Sequence, residues 1–222
     1  MIFNRSVNDE AISYLRGNPV SHLSIVNGHA TTKCLPDLAA IPTLDWLEIN
    51  NMNLKPDDLE IIVNMKNLSS LRAENCQLDD ESLKILNKHN WKLLAVNHNP
   101  SITNKGVEYL SHQKSRTLCF GATKVDDQGA AILAGMPTLE RIELFLDNVD
   151  DKSLPLFSKM PHLYLLFMRS TPITDRGLDQ FKPPASLRIF MVYKCPNLTQ
   201  PAALRFHKKY PQIFLESEHI KK

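Results

Sequence analysis

Residues 163–181 read LYLLFMRSTPITDRGLDQF, and this stretch decides the fold. Its opening is spaced by two: Leu166 and Met168 point to one side of a short strand, Leu165 and Phe167 to the other. Ile173 follows, and then Thr174, whose side-chain oxygen can accept a free N–H from the first turn of a helix. Asp175 comes next, where a negative charge suits the helix dipole. From there the period lengthens, because Leu178 and Phe181 lie three apart as one stripe of a helix. The stretch encodes a strand, a turn and a capped helix.

The same grammar recurs on both sides of it. Aligning Leu23, Leu47, Leu71, Leu94, Leu118, Ile142, Leu166, Phe190 and Phe214 gives steps of 24 residues throughout, except for one of 23 between Leu71 and Leu94. Two residues after the anchors stand Ile25, Ile49, Ala73, Val96, Phe120, Leu144, Met168 and Val192. Cap-type residues return as Asp79, Thr103, Asp126, Asp150, Thr174 and Thr199, with Asp80, Asp127, Asp151 and Asp175 next to four of them. Helical stripes return as Leu83/Leu86, Val107/Leu110, Ala130/Leu133, Leu154/Phe157 and Ala203/Phe206. A fixed period of this size is the mark of a solenoid. One unit cannot bury its apolar face alone, so the copies must stack.

The pattern L-x-x-L-x-L, a small residue, then I/L/V-T/D-D/N-x-G-L resembles the leucine-rich repeat family, and within it the ribonuclease-inhibitor-like and cysteine-containing branches. Ile173-Thr174-Asp175-Arg176-Gly177-Leu178 carries it, as do the turns Asn99-Pro100-Ser101-Ile102-Thr103 and Cys195-Pro196-Asn197-Leu198-Thr199. The resemblance implies an α/β fold: a right-handed horseshoe with a curved parallel sheet on its concave face and helices on its convex face. It also implies that an Asn or Cys at the turn position bonds the backbone of neighbouring turns. Here that position holds Gly28, Met52, Cys76, Asn99, Thr123, Asp147, Thr171 and Cys195, a loose match. Family membership says little about function, because similar repeats bind many unrelated partners.

The unbroken period predicts one domain over residues 1–222. Residues 1–19 form a helical half-repeat cap, 20–210 hold eight repeats of about 24 residues, and 211–222 form a C-terminal strand cap and tail. A formal charge of +2, with no basic stripe, argues against nucleic acid as a partner. The N-terminus lacks the apolar run of a signal peptide, and no stretch approaches the ~18 apolar residues of a membrane span. A cytoplasmic protein is expected, with secretion as an effector left open. The four cysteines have no metal-site spacing, and no cofactor motif is present.

In such a strand the neighbours of the anchors line the concave face, where core packing does not dictate identity. Trp46, Glu48, Arg72 and Glu74 fall in the N-terminal half. Phe145, Leu165, Phe167, Ile189, Met191 and Tyr193 fall in the C-terminal half, with Arg141, Glu143 and Arg169 among them. Strands lie ~4.8 Å apart, so the apolar members should merge into one patch of the composition found at protein interfaces. The expected function is non-catalytic binding of a protein partner on this face, as an adaptor or effector if the chain is bacterial. The alternative is a structural assembly factor acting as a homodimer or within a stable complex. Chemistry has one candidate, Cys119 beside Glu143. His98 belongs three positions further along its strand, roughly 10 Å away at ~3.3 Å per residue, so no enzyme is expected.

Overall fold

The computed structural model describes residues 2–4, 7–26, 29–145 and 148–217. The turn positions Gly28 and Asp147 and the tail 218–222 lie outside the described residues. Ten parallel strands form one sheet in strict chain order. They are β1 (Ile2–Asn4), β2 (His22–Val26), β3 (Trp46–Ile49), β4 (Ser70–Arg72), β5 (Leu93–Ala95), β6 (Thr117–Cys119), β7 (Arg141–Leu144), β8 (Leu165–Arg169), β9 (Ile189–Tyr193) and β10 (Phe214–Ser217). Helices connect them: α1 (Asp9–Ser13), α2 (Leu35–Ala39), α3 (Pro56–Val63), α4 (Asp80–Leu86), α5 (Asn104–Tyr109), α6 (Asp127–Ala134), α7 (Leu154–Phe157), α8 (Asp175–Gln180) and α9 (Gln200–Lys209). Each helix from α1 to α9 packs on the next, as each strand pairs with the next.

The ladder register follows the sequence period: Leu47 pairs with Leu71, Leu71 with Leu94, and Ile142 with Leu166. These anchors and the helix stripes enclose one continuous core, in which Leu23, Leu47, Leu118, Leu166, Phe157, Phe181 and Phe190 are fully buried. At the C-terminal end the register slips by one. Leu215, not Phe214, pairs with Phe190. Leu215 is buried, whereas Phe214 is 40% exposed, so the last step is 25 residues. The N-terminal segment is also more than a helix. Ile2–Asn4 adds a strand beside Ser24–Val26, while Ile12 of α1 closes the core beneath it.

Two polar ladders tie the units together. Asn99 is the hub of the first. Its Oδ1 accepts from the backbone of Cys76 (2.9 Å) and Leu78 (3.0 Å), and its Nδ2 donates to the carbonyls of Ala73, Val96 and Asn97. One buried side chain thus satisfies backbone groups in two turns, which repays its desolvation. The ladder is patchy elsewhere: Cys76 donates to the Ile49 carbonyl, Thr123 to that of Phe120, and Thr171 meets Cys195.

The second ladder runs along the helix N-termini, and it reassigns the cap-region acids. Asp80 reaches forward to the backbone N–H (2.8 Å) and hydroxyl (2.8 Å) of Thr103 in the next unit. Asp151 does the same to Thr174, and Asp175 to Thr199. Asn104 serves Asp126, and Asp127 serves Asp150 and Ser153. Asp9 serves Thr31 at the N-terminal end. The acids therefore clamp neighbouring units as well as facing the positive end of a helix. Thr199 donates its hydroxyl to Asp175 and caps no backbone N–H of α9, whose second residue, Pro201, has none to offer. Asp150 starts a turn rather than α7, which begins at Leu154 after Ser153.

Candidate protein-binding face

The face of the sheet turned away from the helices carries the residues that packing leaves free, and it changes character at Gly121. On the N-terminal side polar atoms are consumed by one another. Ser24 donates to Glu48 Oε2 (2.6 Å), and Asn50 donates to Glu48 Oε1 (3.0 Å). Asn50 Oδ1 accepts from the Glu74 backbone, and Glu74 Oε1 accepts from Arg72 (3.3 Å) and Asn97 (3.0 Å). Asn97 Oδ1 then accepts from the Gly121 backbone N–H (2.6 Å). Trp46 lies beside this chain, its ring stacked on His22 at 6.2 Å.

Gly121 ends the polar chain because the ring of Phe145 lies directly over its α-carbon. A Cβ there would overlap the ring. From Phe145 the contacts are aromatic: Phe145 to Phe167 at 5.6 Å, then Phe167 to Tyr193 edge-on at 6.0 Å. Such centroid distances are attractive beyond the area they cover. Phe145, Phe167, Ile189, Met191 and Tyr193 are each half-buried, and Arg169 is exposed at the edge of the row. The Tyr193 hydroxyl is pushed up to about 12, first by its hydrogen bond to Glu216 and then by burial.

Three of the residues expected to carry function on this face, Leu165, Glu143 and Cys119, do not stand open as strand alternation predicts. Leu165 is 8% exposed, covered by Arg141 and Ile189 on the flanking strands. Glu143 is 6% exposed, held between Cys119 and Phe167 and ion-paired to Arg141 of its own strand. Cys119 is fully buried between Ala95 and Glu143 on the flanking strands. Burial first, and then the Glu143 carboxylate, push its thiol well above the usual range. The thiolate is the nucleophile, so this arrangement disarms it. Side chains on strands ~4.8 Å apart cover one another on the open face as well as in the core, and strand alternation alone does not reveal that.

A cavity of about 490 Å3 opens beside the aromatic row, lined by His98, Phe145, Asn148, Arg169, Ser170 and Lys194, among others. His98, Ser170 and Lys194 were not among the expected site residues. They belong to a column just past the strands whose backbone is left-handed: Asn51 (φ 62°), Asn75 (φ 54°), His98 (φ 58°), Ala122 (φ 54°), Ser170 (φ 52°) and Lys194 (φ 50°). The two asparagines are a readable signal, since Asn visits this region readily. His98 carries a weaker form of the same signal, and the other three carry none.

No protein-family model and no curated protein matches the chain. Solved structures do. The fold is that of a leucine-rich repeat solenoid. A chain of the yeast Rad7–Elc1 complex aligns with a TM-score of 0.72 at 15% identity, covering 94% of this chain and 59% of that one. An internalin C2 from Listeria monocytogenes aligns at 0.56 and 20% identity, covering 85% and 76%. TLR13 in its complex with ssRNA13 aligns at 0.58 and 11% identity, covering 89% and 30%. This chain thus spans less than two thirds of the Rad7–Elc1 and TLR13 chains. Identities this low speak to the fold, and they do not single out the ribonuclease-inhibitor-like branch. Among the described residues, no helix is long and apolar enough to cross a membrane.

Proposed function

We propose that the chain is a non-catalytic binding module that receives a protein partner on the C-terminal half of its concave face. One observation carries the reading. Phe145, Phe167 and Tyr193 form a half-open aromatic row with Ile189 and Met191 beside it. A contiguous apolar surface rimmed by polar residues is the usual character of a protein interface. Aromatic residues, Met and Arg are also the types that dominate binding energy there. Glu48, Arg72 and Glu74 act mainly as a scaffold in this reading, since their charged groups already have partners, and Trp46 packs its ring beside them on His22. The fold neighbours include a protein complex, which agrees with this use of the fold. A cytoplasmic setting and an adaptor or effector role are part of the same proposal.

The test is capture from native lysate with the wild type and a Phe167→Asp/Met191→Asp variant. The variant should lose the captured partner and keep its melting temperature within a few degrees, because the new charges are solvated in the free protein and buried only in the complex. Unchanged capture would overturn the reading. Self-association through the same row is the competing occupant. A stable dimer that the double variant splits, seen as a halved mass in solution, would replace a foreign partner with a second copy.

A further inference from the structure

The aromatic row and the cavity beside it are not chemically alike, and the cavity names a type of ligand. Its wall holds the guanidinium of Arg169, the ammonium of Lys194, the imidazole of His98, the Ser170 hydroxyl and the Asn148 amide, grouped about the Phe145 ring. The His98 and Phe145 rings lie 6.1 Å apart. Among the described residues, none of the lining is acidic. The carboxylates of the concave face are engaged elsewhere: Glu48 with Ser24 and Asn50, Glu74 with Arg72 and Asn97, Glu143 with Arg141, and Glu216, paired beside Met191, with the Tyr193 hydroxyl. Among the described residues neither Arg169 nor Lys194 has an ion-pair partner, although the other arginines of this face, Arg72 and Arg141, each have one. Asp147 lies outside the described residues.

Two exposed cations beside a half-open aromatic ring therefore face a cleft with no counter-charge among its described residues. Resting on the reading of this face as a protein-binding surface, we infer that the cleft receives a carboxylate from a short acidic segment of the partner, next to an aromatic or aliphatic residue that lies on the Phe145–Phe167 row. Arg169 can take a carboxylate through two parallel N–H bonds, and Lys194 adds a point charge. A cavity of about 490 Å3 admits one or two side chains, not a folded surface. The same groups could hold a phosphate and stack a base. The sheet argues against an extended nucleic acid, because Glu48, Glu74 and Glu143 occupy the strands to one side of the cleft. A backbone of phosphates needs a basic track.

The probe is a dye-labelled random copolymer of glutamate and tyrosine, followed by fluorescence anisotropy on the full chain at low salt. A lysine–tyrosine copolymer and a labelled single-stranded oligonucleotide serve as the other arms. The acidic copolymer should bind, and the lysine copolymer should not. An Arg169→Glu/Lys194→Glu variant should weaken acidic binding by at least about tenfold, since it replaces two charge-assisted contacts with repulsion. Both side chains are exposed, so folding is not at stake; an unchanged melting curve checks this. No binding of the acidic copolymer, equal binding by the double variant, or tighter binding of the oligonucleotide would each overturn the inference. Capture of the native partner separates this failure from that of the broader reading. Loss in Phe167→Asp/Met191→Asp with retention in Arg169→Glu/Lys194→Glu would leave the interface standing and remove only the acidic anchor.

Discussion

On the N-terminal side of Gly121, Ser24, Glu48, Asn50, Arg72, Glu74 and Asn97 bond to one another and to the backbone. On the C-terminal side, Phe145, Phe167 and Tyr193 meet through their rings and leave surface uncovered. Both sets hang from the same sheet and cover the same core. The difference shows how a solenoid separates holding its shape from holding a partner. Identical backbone units can carry a closed polar network in one half and an unsatisfied apolar row in the other, because each unit contacts only its neighbours. Hydrogen bonds within the closed half compete with any that a ligand could form there. The open half has no such competition.

The comparison can be broken first at the core. Leu47→Ala, under the polar half, and Leu166→Ala, under the aromatic half, should each cost ~2–5 kcal/mol by denaturant unfolding, the range for a cavity at a fully buried leucine. A loss below ~1 kcal/mol at either site would mean the two halves do not share one core. Next is the border itself. Gly121→Ala places a methyl group where the Phe145 ring lies and should cost ~1–3 kcal/mol, as overpacking does. It should also weaken partner capture while leaving the Asn97-to-Gly121 bond in place. A crystal structure showing Phe145 unmoved would contradict the account.

Alkaline pH tests the burial of three thiols on the N-terminal side of the border. Burial holds the thiol of Cys34 up at about 12, that of Cys76 up at about 11, and that of Cys119 well above the ordinary 9.0. Raised values favour the protonated, folded thiol. Stability is therefore full below pH ~9 and falls as the unfolded thiols ionise, by about 1.4 kcal/mol per pH unit for each thiol, until the folded values are reached. Cys119→Ala should flatten that slope, and a thiol reagent at pH 8 should leave the native protein unlabelled. Rapid labelling of Cys119 would refute its burial. The smallest effect is expected from Ser24→Ala, which removes one hydrogen bond of the polar half. It should cost about 1 kcal/mol and leave partner capture unchanged. A loss of capture there would move the interface into the half assigned to scaffolding.

The sequence was most legible where residues repeat. Leu47, Leu71, Leu94 and their equivalents are buried and in register because a core position tolerates few residue types. It was least legible where the repeat ends or where neighbours matter. Phe214 and Leu215 are both apolar, so spacing alone preferred the wrong one, and only the actual pairing to Phe190 separates them. Ile2–Asn4 precedes the first anchor and has no repeat to announce it. Alternation placed Leu165, Glu143 and Cys119 on the open face but could not show that Arg141, Ile189 and Phe167 cover them. The cleft escaped for a similar reason. His98 and Lys194 come from strand ends four units apart, and nothing in their local sequence links them.

The forward-reaching acids also have a mechanical side. From Asp80 to Thr199 five successive clamps join every unit to the next, so this stretch should respond to a pull at its ends as one stiff spring. Thr32 and Pro56 occupy the equivalent places before α2 and in α3, and no side chain there grips the following cap among the described residues. On the helix side the clamp is therefore missing just before this stretch, and there the Ser24–Glu48 and Asn50–Glu74 bonds of the concave face join the same units instead. The two halves would then carry a load on different faces: the N-terminal units through the concave polar bonds, and the units bearing the aromatic row through the clamps at their helix N-termini.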